Sequence, residues 1–218
     1  MPAKIVSHAP LRRRLPTDER KREIVSTVVA LAYKQGPDTI TTQAIADRIG
    51  ITQGAIFRHF PDKESIWLAV FDWLSKSLGA ALTAAIAGVN SPLAKIERMF
   101  IAHVAFIAAH PGVARIMFHE LQYPGNTPVR AQVRTLISAY RKRLASLFIQ
   151  ARAQNELPAG LNVTLAPVLF IGAVQGLVIQ ASLAGDETEM VEQARQLLPL
   201  LLHGYCGRDP KPHSSRPA

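Results

Sequence analysis

Between Thr41 and Phe60 the chain reads TTQAIADRIGITQGAIFRHF, and here side chains able to read another molecule fall at close, regular intervals. Gln43 precedes Gln53 by ten residues, and Gln53, Ala55, Arg58 and His59 share one short segment. A glutamine amide presents a donor beside an acceptor, the pairing that matches the major-groove edge of adenine, and an alanine methyl fits against the methyl of thymine. Side chains of this kind read a duplex only if a helix carries them into the groove.

The flanking residues supply such helices. Ile45, Ala46 and Ile49 recur at helical spacing, Gly50 interrupts, and a second short run is expected to set Ile56, Phe57 and Phe60 on one inward face. Thr41 and Thr52 are each placed to cap a helix start with a hydroxyl, and Gly50 can take the positive φ that ends the first helix. Small Ala46 lets the two helices approach. The segment therefore reads as a helix-turn-helix with Gln53, Ala55, Arg58 and His59 facing outward.

From about Arg20 to Phe71, and above all over IADRIGITQGAIFRHFPDKESI, the sequence resembles the DNA-binding domain of the TetR-type one-component transcriptional regulators. The resemblance implies that the second motif helix reads a double-stranded operator. Gln53, Gly54, Ala55, Arg58 and His59 then take groove-facing positions, Gln43 adds a contact from the preceding helix, and Lys63 touches phosphate; beyond the resemblance, Thr42 is read as a further phosphate contact. The family's usual tyrosine is Phe57 here, so that member of the contact set lacks its hydroxyl.

Bulk properties agree with a polyanionic partner. The 218 residues are 48% hydrophobic and carry a formal charge of +9 with a pI near 10.1, which excludes global disorder and also suits an anionic membrane surface. The charge is +5 over residues 1–63, +2 over 64–207 and +2 over 208–218, so it concentrates around the motif. Cys206 is the only cysteine, which rules out an intramolecular disulfide and suits a cytoplasmic protein. The N-terminus lacks the apolar region of a secretory signal. Residues 1–16 are expected to form a disordered basic arm, in which Arg12, Arg13 and Arg14 serve either as solubilising charge or as minor-groove contacts.

Beyond the arm the expected fold class is all-α, with about nine helices. A helix capped by Thr17 runs to Gly36 and Pro37, with Ile24, Val28, Leu31 and Ala32 inward, and completes a three-helix domain over 17–63. A helical effector-binding and dimerisation domain follows over 64–207, and then a disordered tail over 208–218. The helix begun by Pro61, Asp62, Lys63 and Glu64 passes from one domain to the other and is read as the linkage between them. Further helices are expected over about 93–109, after a loop over 88–92, and over 113–122, 129–154, 165–184 and 188–204, the last kinked at Pro199.

Residues 163–185 carry no charge and are long enough to span a bilayer, yet Thr164, Pro167, Gln175, Gln180 and Ser182 dilute them. They are read as a buried interface helix, with no membrane partner. Helices 165–184 and 188–204 are too apolar for one chain to hide, so pairing with a second copy is expected, as the resemblance also implies.

No HExxH, GxSxG, GxGxxG or Walker pattern occurs, so no enzyme, metal or cofactor is expected. A small apolar effector is expected instead, between helices that in the resembled family surround a pocket. His103, Phe106, Met117, Phe118, Tyr140 and Gln175 are the candidates, each of which also fits as ordinary core. The reading is a ligand-responsive repressor that releases its operator when the effector binds. The alternative is a helical ligand- or partner-binding protein without operator activity.

Overall fold

The computed structural model describes residues 15–122 and 125–206. The tail expected over 208–218, and the arm expected over 1–16 apart from Leu15 and Pro16, lie outside the described residues. Among the described residues the chain forms nine α-helices and one 3-10 turn, without strands.

Helix α1 spans Thr17–Lys34. Thr17 is its first helical residue and not its cap; Pro16 takes that position and provides no side-chain hydrogen bond, leaving Asp18 and Glu19 to favour the positive end of the helix dipole. The inward stripe is Ile24, Val25, Val28, Val29 and Ala32, while Leu31 is only half-buried. After the 3-10 turn Pro37–Thr39 come α2, Thr42–Ile49, and α3, Gln53–Phe57. Thr41 Oγ1 accepts from the Ala44 amide at 3.0 Å and Thr52 Oγ1 from the Ala55 amide at 3.2 Å. Gly50 ends α2 at φ 76°, a left-handed conformation that glycine adopts without a Cβ penalty.

Helix α4 covers Lys63–Ala85 and is opened by a capping box between Asp62 and Ser65. Two proline-led helices follow, α5 over Pro92–Ala109 and α6 over Pro111–Gln122, bent 95° from one another at His110. Thr127 caps α7, Pro128–Ala153, and the chain closes with α8, Ala166–Ala184, and α9, Met190–Cys206. Pro199 lies inside α9, which continues past it.

The core is built around α5, which packs on α4, α7, α8 and α9. Phe100 on α5 and Phe170 on α8 are fully buried and meet edge to face at 5.2 Å. The Tyr205 hydroxyl donates to the Ala166 carbonyl at 2.9 Å, tying the end of α9 to the start of α8. Burial keeps that phenol protonated well above its ordinary range.

Helix α8 does not behave as a core helix. It is apolar enough to cross a membrane, yet only 33% of its most apolar stretch is buried. Leu165, Val168, Leu169, Ile179 and Leu183 along it, and Leu200 on α9, stand exposed.

Candidate nucleic-acid interface and effector cavity

The first site is the outer surface of α2 and α3. Burial of Ile45, Ala46, Ile49 and Ile56 fixes which sides of these helices remain outside. Gln43, Gln53, Gly54, Arg58 and Lys63 are exposed, and Thr42 and Ala55 are half-buried beside them. The two glutamines are held in place. Gln43 Nε2 donates to Asp47 Oδ1 at 2.6 Å, and Gln53 Nε2 donates to Thr42 Oγ1 at 2.6 Å. Each amide keeps its oxygen and a second N–H for another partner. A Cβ built on Gly54 meets nothing within 4 Å, so folding does not demand glycine there; what its absence provides is bare backbone facing outward.

Two members of the expected set lie differently. Phe57 is 45% exposed and does not share the inward face of Ile56 and Phe60, because adjacent helical residues point about 100° apart. His59 is half-buried, not outward, and its Nδ1 is enclosed without a hydrogen-bond partner. Burial, and then Arg20, Arg58 and Lys21, hold its imidazole below the usual range.

Arg20 itself is 8% exposed and pairs with Glu23, while Lys21 Nζ lies 5.7 Å above the Phe60 ring. These α1 cations back the motif from behind. Arg20 precedes Ile24 by four residues and so shares its helical face, which is the signal that marks it as buried.

The second site is a cavity of about 120 Å3 among α4, α5, α6, α7 and α8. All six expected effector residues, His103, Phe106, Met117, Phe118, Tyr140 and Gln175, line it. The other walls are apolar, with Leu74 and Leu78 from α4 and Ile137 and Ile171 opposite. His103 Nδ1 and the Tyr140 hydroxyl lie 3.1 Å apart, their rings edge to face at 5.2 Å.

Enclosure pushes His103 down to about 4 and Tyr140 upward, so both are neutral at pH 7. Gln175 both lines the cavity and reaches solvent. No group of His, Cys, Asp or Glu that could hold a metal occurs among the described residues.

Helix α6 lies between the cavity and α1, the helix on which α2 packs, a role the sequence did not suggest. Val113, Ala114, Met117 and Phe118 face the cavity. On the side toward α1, a Cβ on Gly112 would lie 2.0 Å from the Val29 carbonyl oxygen. The Arg115 guanidinium lies 5.7 Å from the Tyr33 ring centre, and His119 Nε2 is 2.5 Å from Asp38 Oδ1 in the 3-10 turn. The Tyr33 hydroxyl in turn donates to Glu187 at 3.1 Å, between α8 and α9.

Comparison with known proteins follows this division. Residues 24–70 match the sequence model for bacterial regulatory proteins of the tetR family, and residues 89–179 match that for the tetracyclin repressor-like C-terminal domain. The nucleoid occlusion factor SlmA of Aliivibrio fischeri is 24% identical over 163 residues, 72% of this chain and 81% of that protein. SlmA of Vibrio vulnificus is 22% identical over 184 residues, covering 82% and 93%.

Among solved structures, the fatty acid degradation regulator FadR of Bacillus halodurans superposes with a TM-score of 0.73 at 20% identity, over 90% of this chain and all of that one. The ketosteroid transcriptional regulator KstR2 of Mycobacterium tuberculosis gives 0.73 at 21%, over 87% and 96%. FadR of Bacillus subtilis, in complex with stearoyl-CoA, gives 0.70 at 20%, over 84% and 98%.

Proposed function

The chain belongs to the tetR family of bacterial regulatory proteins, and on that premise we propose that it is a homodimeric, ligand-responsive transcriptional repressor. Residues 17–63 serve as the reading head and 64–207 as the effector-binding and pairing body. Gln43, Gln53 and Arg58 address base edges, Gly54 and Ala55 let the backbone come close, and Thr42 and Lys63 hold phosphate. Phe57 contributes apolar surface at the phosphate-facing position, and His59 supports α3 from within.

One observation carries the ligand-responsive part: α6 forms a wall of the cavity on one side and rests against the α1 backbone on the other. A cavity of about 120 Å3 has room for roughly one aromatic ring or a short chain. An effector larger than that must displace a wall, and movement of α6 is transmitted to α1 because no side chain separates them at Gly112. Occupancy and operator affinity are then linked by one coupling free energy. One structural neighbour, FadR of Bacillus subtilis, is in complex with stearoyl-CoA, an apolar chain on a polar carrier.

Pairing follows from the exposed side of α8 and α9. Leu183 and Leu200 are 77% and 70% exposed, and a second copy laid on these helices forms a four-helix bundle that covers them. Two heads then address half-sites separated by whole turns of the duplex.

The test is a footprint on genomic fragments with purified protein. Arg58→Ala is expected to abolish the sequence preference, with loss of roughly 1–3 kcal/mol of discrimination at the contacted base pair, and to leave the dimer intact. An unchanged footprint would remove Arg58 from the reading surface, and affinity insensitive to salt would remove DNA binding altogether.

A further inference from the structure

Away from the cavity, the most unbalanced surface of the molecule is α7. Its 26 residues include Arg130, Arg134, Arg141, Lys142, Arg143 and Arg152 and not one carboxylate. Arg134 pairs with the Asn126 side chain, Arg143 donates to the Thr83 hydroxyl at 3.1 Å, and Arg152 to the Leu161 carbonyl at 3.3 Å. Each of those partners is neutral. The side chains of Arg141 and Lys142 have no hydrogen bond or ion pair among the described residues.

These cations are not scattered. Arg134 and Arg141 are two helical turns apart and so share a face, and together with Lys142 they rim a groove of about 430 Å3 between α7 and the beginning of α8. The floor of the groove is apolar, formed by Ile137, Ala145 and Pro167. Ile137 is also a wall of the effector cavity, and on α8 the cavity begins at Ile171, one turn beyond Pro167. Groove and cavity therefore share Ile137 as a common wall.

A duplex would use the cations and leave the apolar floor empty. A neutral apolar ligand would fill the cavity and leave the cations unbalanced. A molecule with an apolar body and one anionic end satisfies both surfaces, since charge-assisted hydrogen bonds at a rim fix a head group while burial holds the tail.

We propose that the effector is an amphipathic anion, its apolar body in the cavity and its carboxylate or phosphate head on Arg134, Arg141 and Lys142 in the α7–α8 groove. This rests on the reading of the cavity as the effector site. Arg134 is pre-set by Asn126, and Arg141 and Lys142 turn onto the head group as it arrives.

The experiment is calorimetric titration of the full chain with decanol, decanoate and decyl phosphate, each below its aggregation concentration, at low and moderate ionic strength. At low salt at least one of the anions is expected to bind about tenfold or more tightly than decanol. That advantage should shrink as salt rises. In Arg134→Gln/Arg141→Gln/Lys142→Gln, all three positions being exposed, the anions should fall to the affinity of decanol and decanol should be unchanged. Whichever anion binds more tightly identifies the head group. Decanol binding as tightly as both anions, or a preference that survives the triple substitution, overturns the anionic site and leaves the apolar cavity standing. Failure of all three to bind a folded protein overturns the cavity reading together with it.

Discussion

At the residue scale, Asp47 governs what Gln43 can offer. A carboxylate only accepts, so the amide nitrogen of Gln43 must face it, which leaves Oε1 and one N–H directed outward as a matched pair. Asp47→Ala is expected to raise affinity for any duplex by removing a negative charge beside phosphate. It should also lower base preference at the Gln43 position by about two- to tenfold. Asp47→Asn keeps an acceptor and should keep the preference; selection from a randomised duplex library reads both outcomes.

His103 yields a second residue-scale prediction. Its folded value, about 4, lies below the 6.5 of an unfolded histidine, so the neutral form is favoured by folding. That stability is complete above about pH 6.5 and is lost as pH falls toward 4, because the unfolded chain takes up the proton first. The loss amounts to on the order of 3 kcal/mol. Denaturant midpoints measured from pH 7 to pH 4 should therefore fall less steeply for His103→Leu than for the native chain, and equal slopes would argue against an enclosed imidazole.

At the element scale, what was legible in sequence was what is decided locally. Thr41, Thr52 and Gly50 act on backbone groups within a few residues, so their roles as caps and terminator could be read directly and are found in place. The settings of Phe57 and His59 are not legible because α3 has only five residues, too few for periodicity to define a face, and because Arg20 and Lys21, whose charges act on the His59 imidazole, lie some forty residues away in sequence.

Nothing local marked α6 as a bridge. A Pro-Gly pair after a helix reads as punctuation, and only the packing of α1 across it makes Gly112 indispensable. Gly112→Ala would drive a methyl into backbone atoms, Val29 oxygen at 2.0 Å and Tyr33 nitrogen at 3.1 Å, which no rotamer change relieves. The expected cost is about 1–3 kcal/mol, seen as a fall in Tm of roughly 2–10 °C by calorimetry.

At the scale of the whole molecule, α8 carries the argument. Its composition alone leaves a membrane span and an interface helix both open, and the two differ in which sides are covered. Phe170, Val174 and Val178 are packed against the body, while Leu169, Ile179 and Leu183 are not, so the helix has one satisfied face and one waiting for another surface. Leu183→Glu, which sets a charge on the exposed apolar face proposed for pairing, is expected to raise the dimer dissociation constant by at least about a hundredfold. Light scattering across a dilution series measures this, and an unaltered mass at every concentration would locate pairing elsewhere.

The contact at Gly112 also limits how the protein could be re-engineered. A regulator with a new target is usually sought by exchanging N-terminal segments between homologues, on the view that they are interchangeable parts. Here the seam is main chain against main chain, so a donor α1 must reproduce the path of the peptide at Val29 and Tyr33, whatever bases its recognition helix prefers. Successful chimeras should be those whose donors match that path, and moving the crossover point downstream of α6 should rescue those whose donors do not.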